Sequence, residues 1–396
     1  LEIEQRLWTE VILHFHPGTF MQSGPHCRAY SIDDVGHTHS LQAILWLVFG
    51  PEISGRDLIQ SYFAPDGKEV LHFCGNPAQS IAEYVDMLEC DFHLPEQAYE
   101  LMSERAYPAH IKGRTEIMSI YDDFASEVHT TTYMQENYSL GTSTLPLCGG
   151  DQTNQFYATY KRKPSPESFK DAAPVLCKYF IGDTEMGAHQ TSEDGKWSGE
   201  AYQKNLGWLY AIQQDNTAMV TGTPSREEAL ETDTLKLDII FPAQYGNISA
   251  SIIGDSGVKS GAAGESAEVV PVSVEAGEVF MHIQPLLPTN LPRKAALRFK
   301  TINNYEMLEL VNYEGESRNF SQVELSHVLN GFVFTIEDKS KFSSFEEFHQ
   351  QMSDCRIVDY LFNKHRFINF QRDDVDIDLT VSLIPFGVQT EAINGR

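Results

Sequence analysis

Basic side chains are scarce in this chain: 29 Lys and Arg stand against 56 Asp and Glu, for a formal net charge of −27. Such a balance repels a phosphate backbone and an anionic bilayer face, so nucleic acid and membrane surfaces are poor partners. An anionic small molecule or sugar fits only where Arg, Lys and His gather locally. Long apolar runs are missing too. The best candidates, Leu41–Phe49 and Ile239–Phe241 with their neighbours, fall short of a membrane span. Cysteine is thinly spread, at positions 27, 74, 90, 148, 177 and 355, with no CxxC and no tight Cys/His set. That spacing argues against a structural zinc site. It leaves buried thiols, or one or two disulfides in an exported protein.

Several catalytic signatures are also absent. There is no G-x-S-x-G elbow, no G-x-x-x-x-G-K-[ST] phosphate loop, no dinucleotide glycine fingerprint after a strand and no H-E-x-x-H helix. Ester hydrolase, NTPase, oxidoreductase and zincin chemistries lose their support. The chain opens Leu-Glu-Ile-Glu, without an initiator Met or signal-peptide regions, which reads as a start removed from a longer protein.

What remains is a globular composition, 41% hydrophobic over 396 residues, with a change of character near residue 128. Before it, helix signals dominate. Residues 1–15 carry Ile3, Leu7, Trp8, Val11, Ile12 and Phe15 along one face, and further helices are expected over 40–49, 57–63, 77–90 and 95–105. After it, short alternating or β-branched segments follow one another between Gly, Pro, Asn and Asp, as in an antiparallel β-sandwich. One late helix is expected over 344–355, with Phe345, Phe348 and Met352 on one stripe behind a Ser343/Ser344 cap. The predicted class is α+β: a helical domain over 1–127 and an antiparallel β-sandwich domain over 128–396.

Residues 23–41 concentrate His26, Arg28, Tyr30, Asp33, Asp34, His37 and His39 between two helix-like segments. A second polar segment, Tyr133-Met134-Gln135-Glu136-Asn137-Tyr138, opens the β-region, and a late strand at 331–337 leads into the Phe345 helix. These three pieces, in this order of elements, resemble the polysaccharide lyases built from an α/α-toroid and an antiparallel β-domain, the heparinase-II/III-like proteins. The resemblance implies that 1–127 is the end of a larger toroid. It also implies β-elimination on a uronate-containing polysaccharide at the domain junction, in a secreted or periplasmic protein, with a cytoplasmic one as the alternative.

Elimination needs a cation or metal on the sugar carboxylate, a base for the C5 proton and an acid for the leaving oxygen. Arg28 suits the first role, His26, His37 or His39 the second and Tyr30 the third. No cofactor is required, although His37, His39 and Asp33 also have the donor types of a divalent-metal site. Tyr133, Gln135, Glu136, Asn137, Tyr138 and the distant His189 are candidates for substrate contacts. Each group has a plain alternative: Asp33 and Asp34 as turn caps, Arg28 in a salt bridge, the histidines as packing groups. Two other functions compete. A glycoside hydrolase would pair Glu136 with Asp33 or Asp34, and a non-catalytic carbohydrate-binding or assembly protein would use the sandwich for glycan and its helical part for a partner or a second copy.

Overall fold

The computed structural model describes residues 6, 9, 12–13, 15–19, 21–22, 96–116, 127–144, 155–165, 172–182, 184–185, 207–224, 230–242, 251–254, 257–260, 264–266, 270–286, 296–302, 305–328, 330–383 and 386–393. Most of them lie in antiparallel strands of three sheets, beside a small ribbon of Phe15–His16 and Met21–Gln22.

The large sheet has ten strands. Its order is Gly264–Ser266, Ala296–Ile302, Tyr305–Phe320, Leu230–Pro242, Ala172–Ile181, Phe156–Lys161, Tyr138–Ser143, Glu127–Met134 and Ala109–Glu116, with Thr184–Glu185 beside Ala172–Ile181. The second sheet has seven, in the order Gly257–Ser260, Ser251–Gly254, Val272–Ala276, Val279–Pro285, Asn330–Asp338, Thr217–Pro224 and Gly207–Gln214. A four-stranded meander forms the third: Arg356–Phe362, His365–Arg372, Val375–Leu383 and Phe386–Ile393.

Alternation decides which faces meet. Successive side chains of a strand point to opposite sides, so Leu235, Leu237, Ile239 and Phe241 enter one core while Lys236, Asp238 and Ile240 face the other way. That core joins the large sheet to Val220, Val274, Met281, Phe332, Phe334 and Ile336 of the second sheet. The second sheet is covered on its far side as well. There Ile212, Met219 and Val333 meet Ile368, Phe370, Ile377, Leu379 and Val381 of the third sheet. Burial on both faces explains why Asn330–Asp338 carries the unbroken apolar run Phe332-Val333-Phe334.

Two arginines of His365–Arg372 anchor the third sheet. Arg366 forms a two-pronged pair with Asp359 at 2.9 and 2.7 Å, and also donates to Thr221 Oγ1 at 2.6 Å and to the Asn330 carbonyl. Arg372 donates to Thr335 and Thr217 at 2.9 and 3.0 Å. A buried charge is costly unless paired and hydrogen-bonded; Arg366 has both kinds of partner, while Arg372 is held by two hydroxyls and its pKa is lowered by desolvation. Beside the meander, helix Phe345–Ser353 starts at Ser344, whose side chain accepts from the Glu347 amide, and lays Phe345, Phe348 and Met352 on Phe280.

Hairpin chemistry is local. Asn363 and Lys364 both take positive φ, 48° and 65°, which is the turn that matches strand twist in a two-residue loop. Gly277 has φ +56°, and a Cβ there would lie 2.3 Å from the Lys161 carbonyl oxygen, so the turn needs glycine twice over.

The expected α+β organisation is corrected. The described residues are predominantly antiparallel β; apart from the single helical positions 6, 9, 12 and 13, their α-helical segments are Glu96–Ser103, Gln322–Ser326 and Phe345–Ser353. Short, separated helices of this kind do not make a toroid. The helices expected over 40–49, 57–63 and 77–90 lie outside the described residues. Strand Ala109–Glu116 pairs along its whole length with Glu127–Met134, so the large sheet takes in a segment of the expected 1–127 helical domain, beyond the helix expected over 95–105. Its alternate positions are His110, Lys112 and Arg114, a polar face that hides a strand from a search for apolar periodicity. The β-sandwich itself is present, with a third sheet added on its outer side.

Candidate functional site

The large sheet is wider than the sheet packed on it. At the Ala109–Glu116 end, its inward face is met by the edge strand Gly207–Gln214 of the second sheet and by Phe386–Ile393 of the third, and a cleft of about 620 Å³ opens where the three come together. Register shows what the large sheet contributes. Lys112 is opposite Thr131, Thr131 opposite Thr142, and Arg114 opposite His129. These positions alternate in phase with Tyr133 and Leu140, which belong to the core, so a single inward face changes from apolar to cationic and hydroxylic as the cover runs out.

Lys112, His129, Thr130, Thr131, Thr142 and Thr144 line one wall, with Ala211, Ile212 and Gln213 facing them and Ala392 and Ile393 closing an end. Gln213 is almost fully buried and wholly engaged. Its amide donates to the carbonyls of Leu140 and Asp215 at 2.9 and 2.6 Å, and its carbonyl oxygen accepts from Thr142 Oγ1 at 3.2 Å. With its proton committed to Gln213, the Thr142 hydroxyl has only lone pairs left for a ligand. Thr144 Oγ1 accepts from the His129 amide at 3.1 Å, while the Thr144 amide donates to the His129 carbonyl at 3.0 Å, which fixes the backbone under that imidazole.

Gly113 lies between Lys112 and Arg114, opposite Thr130. A Cβ on Gly113 would sit 2.5 Å from Thr130 Oγ1, so the strands are tight there on the face turned away from the Lys112 row. Beyond Lys112, His110 packs edge-on against Tyr133 and pairs with Asp215 of the second sheet at 3.3 Å, an exposed contact that bridges the sheet edges. His110, Lys112 and Arg114 therefore form a row of basic residues at every second position, ending at the register pair Glu116 and Glu127.

The Tyr133–Tyr138 candidates occupy a hairpin at one end of the sandwich. Gln135 donates to the Tyr133 hydroxyl at 2.6 Å, Tyr138 donates to Glu337 at 3.1 Å, Asn137 bonds Asp338, and Glu136 lies 4.0 Å from Lys161. Tyr138 is fully buried, and desolvation first, then the Glu337 charge, holds its pKa well above the usual phenol value. Both phenols are hydrogen-bonding groups of the core. The turn is held from outside by His16, which is buried and kept neutral by desolvation with a pKa near 3. Its Nδ1 accepts from the Thr19 amide at 2.9 Å, so Nε2–H donates to the Gln135 carbonyl at 2.7 Å.

His26, Arg28, Tyr30, Asp33, Asp34, His37, His39 and His189 all lie outside the described residues, and with them the expected metal set His37, His39 and Asp33. Among the described residues no group of three or more His, Cys, Asp or Glu could hold a metal ion. Lys112, Arg114, His129 and Gln213 went unseen in the sequence. The signal that could have found them is the alternation His110-x-Lys112-x-Arg114, which reads as a strand with one basic face in a chain short of bases.

The chain matches no family model, no curated protein and no solved structure. The expected kinship with heparinase-II/III-like lyases is therefore withdrawn: the described architecture is not the toroid-based one, and no relative supports it.

Proposed function

We propose that the protein is a carbohydrate-binding protein that holds an acidic oligo- or polysaccharide in the three-sheet cleft. The observation that carries this is the inward row of His110, Lys112 and Arg114, opposite His129, of which Lys112 and His129 line the cleft itself, in a chain with a net charge of −27. A protein so acidic repels an anionic polymer everywhere except where cations are gathered, and local focusing then favours a carboxylate or sulfate. The remaining lining suits sugar hydroxyls: threonines offer donor and acceptor capacity, and Thr142 is fixed as an acceptor by Gln213. Among the described lining residues there is no carboxylate, so paired-carboxylate hydrolysis has no support in this cleft.

Titration calorimetry of the whole chain with oligogalacturonate tests the proposal. Binding is expected to weaken as salt rises, and to fall by about tenfold in Lys112→Gln, the loss of one charged contact. The Tm of that variant should stay within a degree or two of the parent, because Lys112 is exposed. Acidic glycans that fail to bind, or that bind equally well to the variant, would overturn the assignment. Ultraviolet absorbance and reducing-end assays run in parallel: growth of either signal makes the protein an enzyme rather than a holder of glycan.

A further inference from the structure

The third sheet presents a second surface, separate from the cleft. Its inward positions are consumed by the core and by the Arg366–Asp359 pair, leaving the other face to solvent. Along that face the edge strand Arg356–Phe362 places Tyr360 and Phe362 opposite Phe367 and His365. Tyr360 and Phe362 are 49% and 60% exposed, two of the three large hydrophobic side chains exposed among the described residues. Tyr360 and Phe367 are stacked, with centroids 5.0 Å apart and planes 14° from parallel. One strand further on, Asp378 and Asp376 stand opposite Asn369 and Gln371. Asn369 donates to Asp376 at 3.0 Å and to Asp378 at 2.8 Å, which orients both carboxylates while leaving lone pairs on each.

We propose that this face is a second glycan site, specific for neutral oligosaccharides, with Tyr360, Phe362 and Phe367 taking the apolar faces of the sugar rings and Asp376 and Asp378 accepting from their hydroxyls. Aromatic rings beside oriented acceptors match a pyranose, which is apolar on its ring faces and polar around its rim. Charge selects among sugars. The face carries two carboxylates against the single guanidinium of Arg356, so it disfavours the uronates that the cationic row of the cleft attracts. Charge also argues against the other natural occupant of an exposed edge strand, a second copy of the chain, since two bodies of net charge −27 repel each other. The two sites sit apart on the meander: Arg356–Phe362 is one edge strand, and the cleft-lining Phe386–Ile393 is the other.

Affinity electrophoresis and titration calorimetry of the whole chain with cellohexaose, xylohexaose and mannohexaose provide the test. At least one of these neutral hexaoses is expected to bind. In Tyr360→Ala/Phe362→Ala that binding should fall about tenfold or more, with unchanged circular dichroism, as expected for exposed aromatic contacts. Lys112→Gln should leave it unaltered. Failure of all three sugars to bind, or equal binding by the double variant, would overturn the proposal. So would sedimentation showing a wild-type dimer that the double variant dissolves, because the strip would then be an interface between copies.

Discussion

The two ends of the large sheet's inward face obey one alternation and have opposite chemistry. At the middle strands, Leu235, Leu237, Ile239 and Phe241 of Leu230–Pro242 meet a full partner sheet, and the alternate positions are apolar without exception. At the Ala109–Glu116 edge the partner sheet has ended at Gly207–Gln214, and the equivalent positions are His110, Lys112 and Arg114. Cover decides identity. Where a second sheet removes water, a cation would be desolvated at high cost; where it stops, the same side of the sheet becomes a ready-made wall for a polar ligand. The sandwich thus carries its candidate site on its overhang, and the site borrows rigidity from strands whose other positions are locked in the core.

Emptying the covered end should do the most damage. Phe334 is fully buried, with Phe156 packed edge-on at 4.9 Å. Phe334→Ala removes a ring from the middle of both sheets' contact and should destabilise the fold by about 3–5 kcal/mol. Denaturant unfolding measures it. A loss below about 1 kcal/mol would mean that the two sheets do not share a close-packed core.

At the overhang the expected effect is smaller and of a different kind. Gly113→Ala sets a Cβ against Thr130 Oγ1, and the wall must shift by a few tenths of an ångström or more. Overpacking of this type costs about 1–3 kcal/mol. Gly113 and Thr130 alternate out of phase with Lys112, Thr131 and His129, so the strain falls on the sheet's other face, and Tm should drop while glycan affinity stays within about twofold. Parallel calorimetry and melting curves separate the two: a tenfold loss of affinity would show that the ligand is held on the sheet's other face rather than in the cleft.

Most of the covered end was legible in the sequence. Strand Asn330–Asp338, expected over 331–337, and helix Phe345–Ser353 follow from their apolar residues and from the Ser344 cap, and the two-residue turns were marked by Asp, Asn and Gly. The overhang was not. Ala109–Glu116 has one basic face and one lone Ile111, so it offers no apolar period, and its strand character comes from pairing with a partner about twenty residues away. Nor could the sequence show that Tyr133 and Tyr138 are core groups, since tyrosine serves equally in cores and in sugar sites. The third layer was hidden for a further reason: Arg366 and Arg372 look like surface residues until their buried acceptors, Asp359, Thr335 and Thr217, are brought to them by the fold.

The same middle strands sharpen the contrast from their other side, through the smallest effect. Lys236 and Asp238 alternate with the apolar residues of Leu230–Pro242 and so face away from the core. Lys236 lies 3.0 Å from Asp238 and 2.6 Å from Glu309, and both carboxylates are nearly inaccessible. Desolvation dominates over the Lys236 charge at Asp238, and its pKa rises to about 7. A carboxyl whose folded pKa exceeds its unfolded value gives stability that is complete below the unfolded pKa and is lost as pH rises through the folded one. Here that window runs from the ordinary carboxyl range, near 3.8, up to about 7. Within it the contribution of Asp238 should decline by at most about 1.4 kcal/mol per pH unit, less wherever Lys236 compensates. Asp238→Asn keeps the shape and removes the proton, so its unfolding free energy should fall less steeply from pH 5 to pH 7 than that of the parent. Parallel slopes for the two proteins would place a charged Asp238, stabilised by Lys236, on this face throughout that range, and the covered half of the sheet would then tolerate an ion pair on its outer side as readily as the overhang tolerates cations on its inner one.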